Sequence, residues 1–140
     1  MPSKKIVKKK PPSKADAVQT ALRYLNNAKE TLSKSPIEDN RYQDEKYVRE
    51  ASGIAYLAGL IAIEGWLVER SLWTEKHTRS IEGYKEVIHK HPQFKHLNNY
   101  LNIVYEDLHL FGYYAGATGT AVIKEGLQNV KNIIELIRKN

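Results

Sequence analysis

Two Glu-x-x-His pairs, Glu86-Val-Ile-His89 and Glu106-Asp-Leu-His109, hold the residue types that bind paired metals inside helical bundles. Glu64, with Glu125 or Glu135, would complete such a ligand set. The spacing argues against it. If the chain reverses at Pro92, the two glutamates miss each other by about eight residues, or roughly 12 Å along a helix. One metal pair does not span that gap. His89, His91 and His96 crowd the same corner, but neighbours on a helix face are three or four residues apart, and His89-x-His91 is not. A polar interhelix corner is expected there, with no metal and no cofactor.

Glu64 is the more informative carboxylate. It is the one charge in residues 54–68, so it must be paired, protonated or at the edge of its apolar segment. His109 is a candidate partner, and Glu64 is a candidate binding residue. Tyrosine is over-represented, with nine against two tryptophans and two phenylalanines. Tyr100, Tyr105, Tyr113 and Tyr114 fall in one segment. A tyrosine ring buries while its hydroxyl stays wet, which suits subunit interfaces and pocket rims. Tyr105, His109, Tyr113 and Tyr114 therefore join Glu64 as expected binding residues. No phosphate-binding glycine loop, Ser–His–Asp arrangement or zinc-protease motif is present.

The elements that position these residues read as helices. Ala51, Ala55, Ala58, Ala62 and Gly65 step by four, three, four and three through a segment with little bulk on one side. Such a ridge must be enclosed by other helices at close range. Helices are predicted at about residues 14–33, 44–72, 78–89, 92–114 and 121–139. Ser13 followed by Asp16 marks the first start. Pro36 stops the first helix, and residues 37–41 read as a loop. Leu97, Leu101, Val104, Leu108 and Phe111 form the inward stripe of the fourth helix, and Ile123, Leu127, Val130, Ile134 and Ile137 that of the fifth. Gly112, Gly116 and Gly119 argue for a turn or a loosened helix end, with Thr118 or Thr120 capping the fifth helix. No alternating strand pattern persists. The expected fold class is all-α: a single up-and-down bundle of four long helices plus one short helix.

Composition sets the outer limits. The 140 residues suffice for one domain with a real core. Six lysines fall in the first fourteen residues; without them sixteen basic residues face sixteen acidic ones, so the net charge of +6 belongs to a leader. Residues 1–13 are expected to be a disordered basic leader and 14–140 the bundle. A lysine tail attracts polyanions weakly and without sequence preference. The absence of cysteine fits a reducing cytoplasm and excludes thiolate chemistry. No apolar stretch of roughly 18 residues predicts a membrane span.

Residues 21–30, Ala-Leu-Arg-Tyr-Leu-Asn-Asn-Ala-Lys-Glu, resemble the opening helix of HEPN domains. The small-residue second helix, and Tyr113-Tyr114 ahead of a closing amphipathic helix, also look like that superfamily. The resemblance implies a small helical bundle, often dimeric, found with nucleotidyltransferases or as an RNA-cleaving toxin. Active HEPN ribonucleases carry Arg, four to six residues, then His, and Arg70-Ser-Leu-Trp-Thr-Glu-Lys-His77 has that spacing, although earlier in the chain than the family motif. Carried over, Arg70 stabilises a scissile phosphate and His77 moves a proton. The chain also looks like a member of a small uncharacterised bacterial all-helical family. The leading expectation is a cytoplasmic, non-enzymatic interaction module, a homodimer with a possible further protein partner. RNA or nucleotide handling and metal binding are the alternatives.

Overall fold

The computed structural model describes residues 13–74 and 76–140. The lysine-rich segment before Ser13 lies outside the described residues. The protein is predominantly helical. Helix α1 spans Lys14–Leu32 and α2 spans Glu45–Glu69. A short α3, Ile81–His89, leads through a single 3-10 turn, Pro92–Phe94, into α4, Lys95–Val104. A π-helical segment, Tyr105–Tyr114, continues α4, and α5 spans Thr120–Lys139.

Local chemistry accounts for most of these boundaries. Ser13 accepts the Asp16 N–H at 3.1 Å, satisfying a donor that the helix itself leaves unpaired. Asp44 does the same for Lys46, and Ser80 for Gly83. At the start of α5 neither threonine caps: Gly119 holds the cap position without a side-chain bond, and Thr120 is the first helical residue. Instead the Thr120 N–H donates to the Asn40 carbonyl at 3.0 Å.

That carbonyl belongs to a hairpin where a loop was expected. Strands β1, Ile37–Glu38, and β2, Arg41–Tyr42, pair antiparallel around Asp39 and Asn40. Both turn residues have positive φ, 52° and 59°. The mirror-image turn that matches strand twist demands this, and Asp and Asn tolerate it. Two-residue strands are too short to leave an alternation in sequence. The hairpin ties the α1–α2 connection to the start of α5, with the Tyr42 N–H bonded to the Thr118 carbonyl at 2.9 Å.

Helix α2 is the axis of the core. Ala51, Ala55, Ala58 and Ala62 are all fully buried, so the predicted ridge is enclosed. A methyl added to Gly65 would lie 2.2 Å from the Ala17 Cβ and 3.6 Å from the Ser13 carbonyl oxygen. The start of α1 therefore meets the end of α2, and the two run antiparallel at backbone distance. On its other side α2 receives α4 and the π segment, also antiparallel: Phe94 packs on Trp66, and Tyr113 lies beside Gly53. Helix α5 closes the core, with Ile133 near Gly59 and Ile123 near Gly112. By length and composition α2 passes for a membrane span, although no apolar stretch of that length was expected. More than half of that apolar window is buried inside the fold.

The largest departure from the sequence reading is in the fourth helix. Leu97, Leu101, Val104 and Leu108 are buried as expected, but Phe111 is 41% exposed and Gly112 is buried in its place. From Tyr105 onward the backbone takes i→i+5 bonds, such as Ala115 N–H to the Leu110 carbonyl at 2.9 Å. The wider turn rotates the inward face by about one residue. It lets Gly112 press on Ser52 of α2 while Leu108 stays against Gly126 of α5.

Candidate functional site

The same widening builds the site. In a π-helix, residues four and five apart stack over one another, so Tyr105, His109, Tyr113 and Tyr114 converge on one face. The His109 ring is the centre. It stacks on Tyr105 at 5.2 Å between ring centres, lies nearly parallel to Tyr113 at 6.1 Å, and meets Tyr114 edge-on at 5.0 Å. Tyr56 of α2 closes the stack from below, 4.6 Å from His109 and 6.3 Å from Tyr105. Arg49 fixes the far end, donating from Nη1 to the carbonyls of Tyr113 and Tyr114 at 2.8 Å each. Tyr113 and Tyr114 are 46% and 64% exposed, and Leu110 and Phe111 of the same segment are exposed as well.

Glu64 stands apart from His109, and its partner is Arg79. The guanidinium grips the carboxylate at both oxygens, 2.9 and 2.8 Å, with Glu64 14% exposed and Arg79 largely in water. The two-pronged geometry is the favourable one for this pair. Tyr84 of α3 lies against it, its hydroxyl pushed up to about 12 by burial first and then by the Glu64 charge and hydrogen bond. Tyr56 is raised above the ordinary phenol range as well, again by burial first and then by Tyr105, Glu82 and Tyr84. Both phenols stay protonated at neutral pH. Phenols held in that form are poorly matched to proton transfer there.

Arg70 and His77 have separate surroundings. The Arg70 guanidinium lies over the rings of Trp66 and Phe94, at 4.6 and 5.0 Å, and donates to the Asn140 main-chain oxygen at 3.3 Å. His77 stacks on Trp73 at 4.7 Å, and its Nδ1 accepts the Thr74 N–H at 3.0 Å. That bond leaves the proton of the neutral ring on Nε2. Among the described residues the two share no partner. The metal candidates are likewise dispersed: Glu86 pairs with Lys90 at 3.8 Å, and no three carboxylate or imidazole groups converge among the described residues.

Sequence reasoning overlooked Tyr56, Arg79, Tyr84 and Asp107. Tyr56, Leu60 and Glu64 do fall at i, i+4 and i+8, so the shared strip of α2 was readable. Arg79 follows Glu64 by fifteen residues across an irregular loop, which leaves no periodic trace. Asp107 lies behind the aromatic face, 7% exposed, with one carboxylate oxygen lacking a hydrogen-bond partner. Burial, with the charges of Glu125 and Glu106, pushes its carboxyl up to about 6.

A family model described as a domain of unknown function, DUF5618, matches residues 16–139. The chain belongs to the DUF5618 family. The match takes in α1 from its third residue and every later helix, together with the aromatic stack and the Glu64–Arg79 pair. A solved structure of a protein of unknown function from Dyadobacter fermentans is similar, with 36% identity and a TM-score of 0.79. The likeness covers 91% of this chain and 98% of that one. No curated protein matches the chain. DUF5618 membership thus supplies an all-helical fold and no activity.

Proposed function

We propose that this DUF5618 chain is a non-enzymatic interaction module that pairs with a second copy of itself through the π-helical aromatic face. One observation carries the reading. Of the six large hydrophobic side chains exposed among the described residues, four (Leu110, Phe111, Tyr113 and Tyr114) belong to the π-helical segment. Exposed apolar side chains concentrated in one short segment are what a contact site presents. A rim of polar neighbours brings the contact toward the roughly 800 Å² per partner of an ordinary interface. The lack of cysteine supports work in a reducing cytoplasm. Light scattering across micromolar concentrations tests the pairing. Wild-type mass rises to that of a dimer, and Tyr114→Asp shifts the midpoint to at least tenfold higher concentration. A monomer throughout, or an unchanged variant, refutes it.

A HEPN-like bundle that handles RNA is the second reading, supported by the Arg70–His77 spacing. It requires both side chains to reach one phosphate. Each instead has its own aromatic support, so the interaction reading ranks first. RNA cleavage by the purified protein that disappears in both Arg70→Ala and His77→Ala would reverse that order.

A further inference from the structure

The end of α1, the hairpin and the first turns of α5 meet at a groove of about 420 Å³. Its floor is apolar: Leu32, Tyr42 and Leu127 are buried there, and Ile37 is 54% exposed. Lys29 of α1 and Lys124 of α5 also line it, both exposed. Among the described residues neither lysine pairs with a carboxylate. No aspartate or glutamate lines the groove. The acids next in sequence to lining residues are Glu30, Glu38 and Glu125. Glu30 continues the outward side of α1, one turn after Asn26. Ile37 stands opposite Tyr42 in the hairpin and Glu38 opposite Arg41, so Glu38 lies on the other face. Glu125 bears on Asp107. The two serines of the lining are engaged: Ser33 Oγ donates to the Glu30 carbonyl at 2.6 Å, and Ser35 Oγ accepts the Asp44 N–H at 2.9 Å. Tyr42 differs. Burial alone raises its hydroxyl above the ordinary phenol range, so it stays protonated, and it has no hydrogen-bond partner among the described residues.

We propose that this groove binds a small amphiphilic carboxylate: an aliphatic chain lies on Leu32, Ile37 and Leu127, and its head is held by Lys29 and Lys124 with the Tyr42 hydroxyl as a neutral donor. The volume falls within the range of small-molecule sites, which pair an apolar lining with a few polar groups that fix orientation. Charge selects the head group, because the donors left open are two ammonium groups and a phenol. The same charge excludes the chain's own leader as the occupant: its lysines are repelled, and residues 1–13 contain no acid. None of the lining residues belongs to the π segment, so the site stands apart from self-pairing.

Calorimetric titration of the full chain with decanoate, kept below its micellar concentration, tests both halves. Decyltrimethylammonium offers the same chain with the opposite charge, and acetate the head without the chain. Decanoate binds one per chain with a dissociation constant below about 1 mM, the cation at least about tenfold more weakly, and acetate not at all. Lys29→Gln combined with Lys124→Gln weakens decanoate at least about fivefold, and Ile37→Ser and Tyr42→Phe each at least about threefold. Lys9→Gln combined with Lys10→Gln, in the leader, leaves the affinity within about twofold; a loss there in place of the groove marks diffuse attraction to the lysine tail and overturns the proposal. Thermal melts confirm that the variants are folded. No decanoate binding, equal affinity for the two charged amphiphiles, or unchanged affinity in any of the three groove variants also overturns it.

Discussion

Adding one methyl group at Gly65 tests how closely α1 and α2 are packed. The new Cβ would stand 2.2 Å from the Ala17 Cβ, so the two backbones must part by more than 1 Å to restore ordinary contact. Overpacking of that kind costs about 1–3 kcal/mol. Alanine in place of glycine within a helix returns about 0.8–1.0 kcal/mol, so Gly65→Ala should lose up to about 2 kcal/mol net. Gly59, on the same helix, is the internal control. Its added Cβ would find nothing nearer than Ile133 and Val104, at 3.8 and 3.9 Å. Gly59→Ala should therefore gain about 0.5–1 kcal/mol from propensity and reduced unfolded-state entropy. Urea denaturation gives both values directly. In thermal melts the pair should straddle wild type, with Gly65→Ala lower by up to about 6 °C and Gly59→Ala higher by about 2–3 °C. Equal stabilities for the two variants would refute the close approach.

Asp107 makes stability depend on pH. Its folded carboxyl titrates near 6 and its unfolded one near 3.8, so between those values the folded state binds more protons. Stability should fall as pH rises from about 4 to 6 and then level, a loss of up to about 3 kcal/mol. Asp107→Asn should remove that slope and be more stable than wild type at pH 7, as read by urea denaturation at each pH; a persisting slope would contradict the assignment. For Glu64 and Arg79, a double-mutant cycle with alanine should return a coupling of about 1 kcal/mol, modest because the arginine is 74% exposed. A coupling of zero would contradict the gripped geometry. In the hairpin, Asn40→Gly should match or exceed wild-type stability and Asn40→Ala should lose about 1 kcal/mol, because φ at this position is +59°. Identical melting curves for the two would remove the turn assignment.

The parts of the fold that repeat were legible in the sequence. The alanine ridge of α2, the stripe of α5 and the Ser13 cap all follow from helical spacing and local hydrogen-bond chemistry, and each is where that chemistry puts it. What was not legible depends on contacts distant in sequence. The π segment arises because Gly112 must reach Ser52 while Leu108 stays on Gly126, a condition set by two other helices. An α-helical stripe was therefore carried one residue too far, and Phe111 was assigned inward. The tyrosines and His109 were singled out by type alone; Tyr56, which completes their stack, was passed over because it sits in an apolar helix. Glu64 was recognised as needing a partner, but Arg79 is supplied by an irregular loop, where spacing carries no information.

Whether two copies meet at the π-helical face is tested most directly by a spin-label distance. The chain has no cysteine, so a single engineered one carries the label. Ala115→Cys places it beside the aromatic patch; Asn26→Cys places it on the outward side of α1, across the fold. Double electron–electron resonance should show paired spins in both variants, with the shorter interspin distance at position 115. Unpaired spins in both, or a shorter distance at position 26, would contradict it.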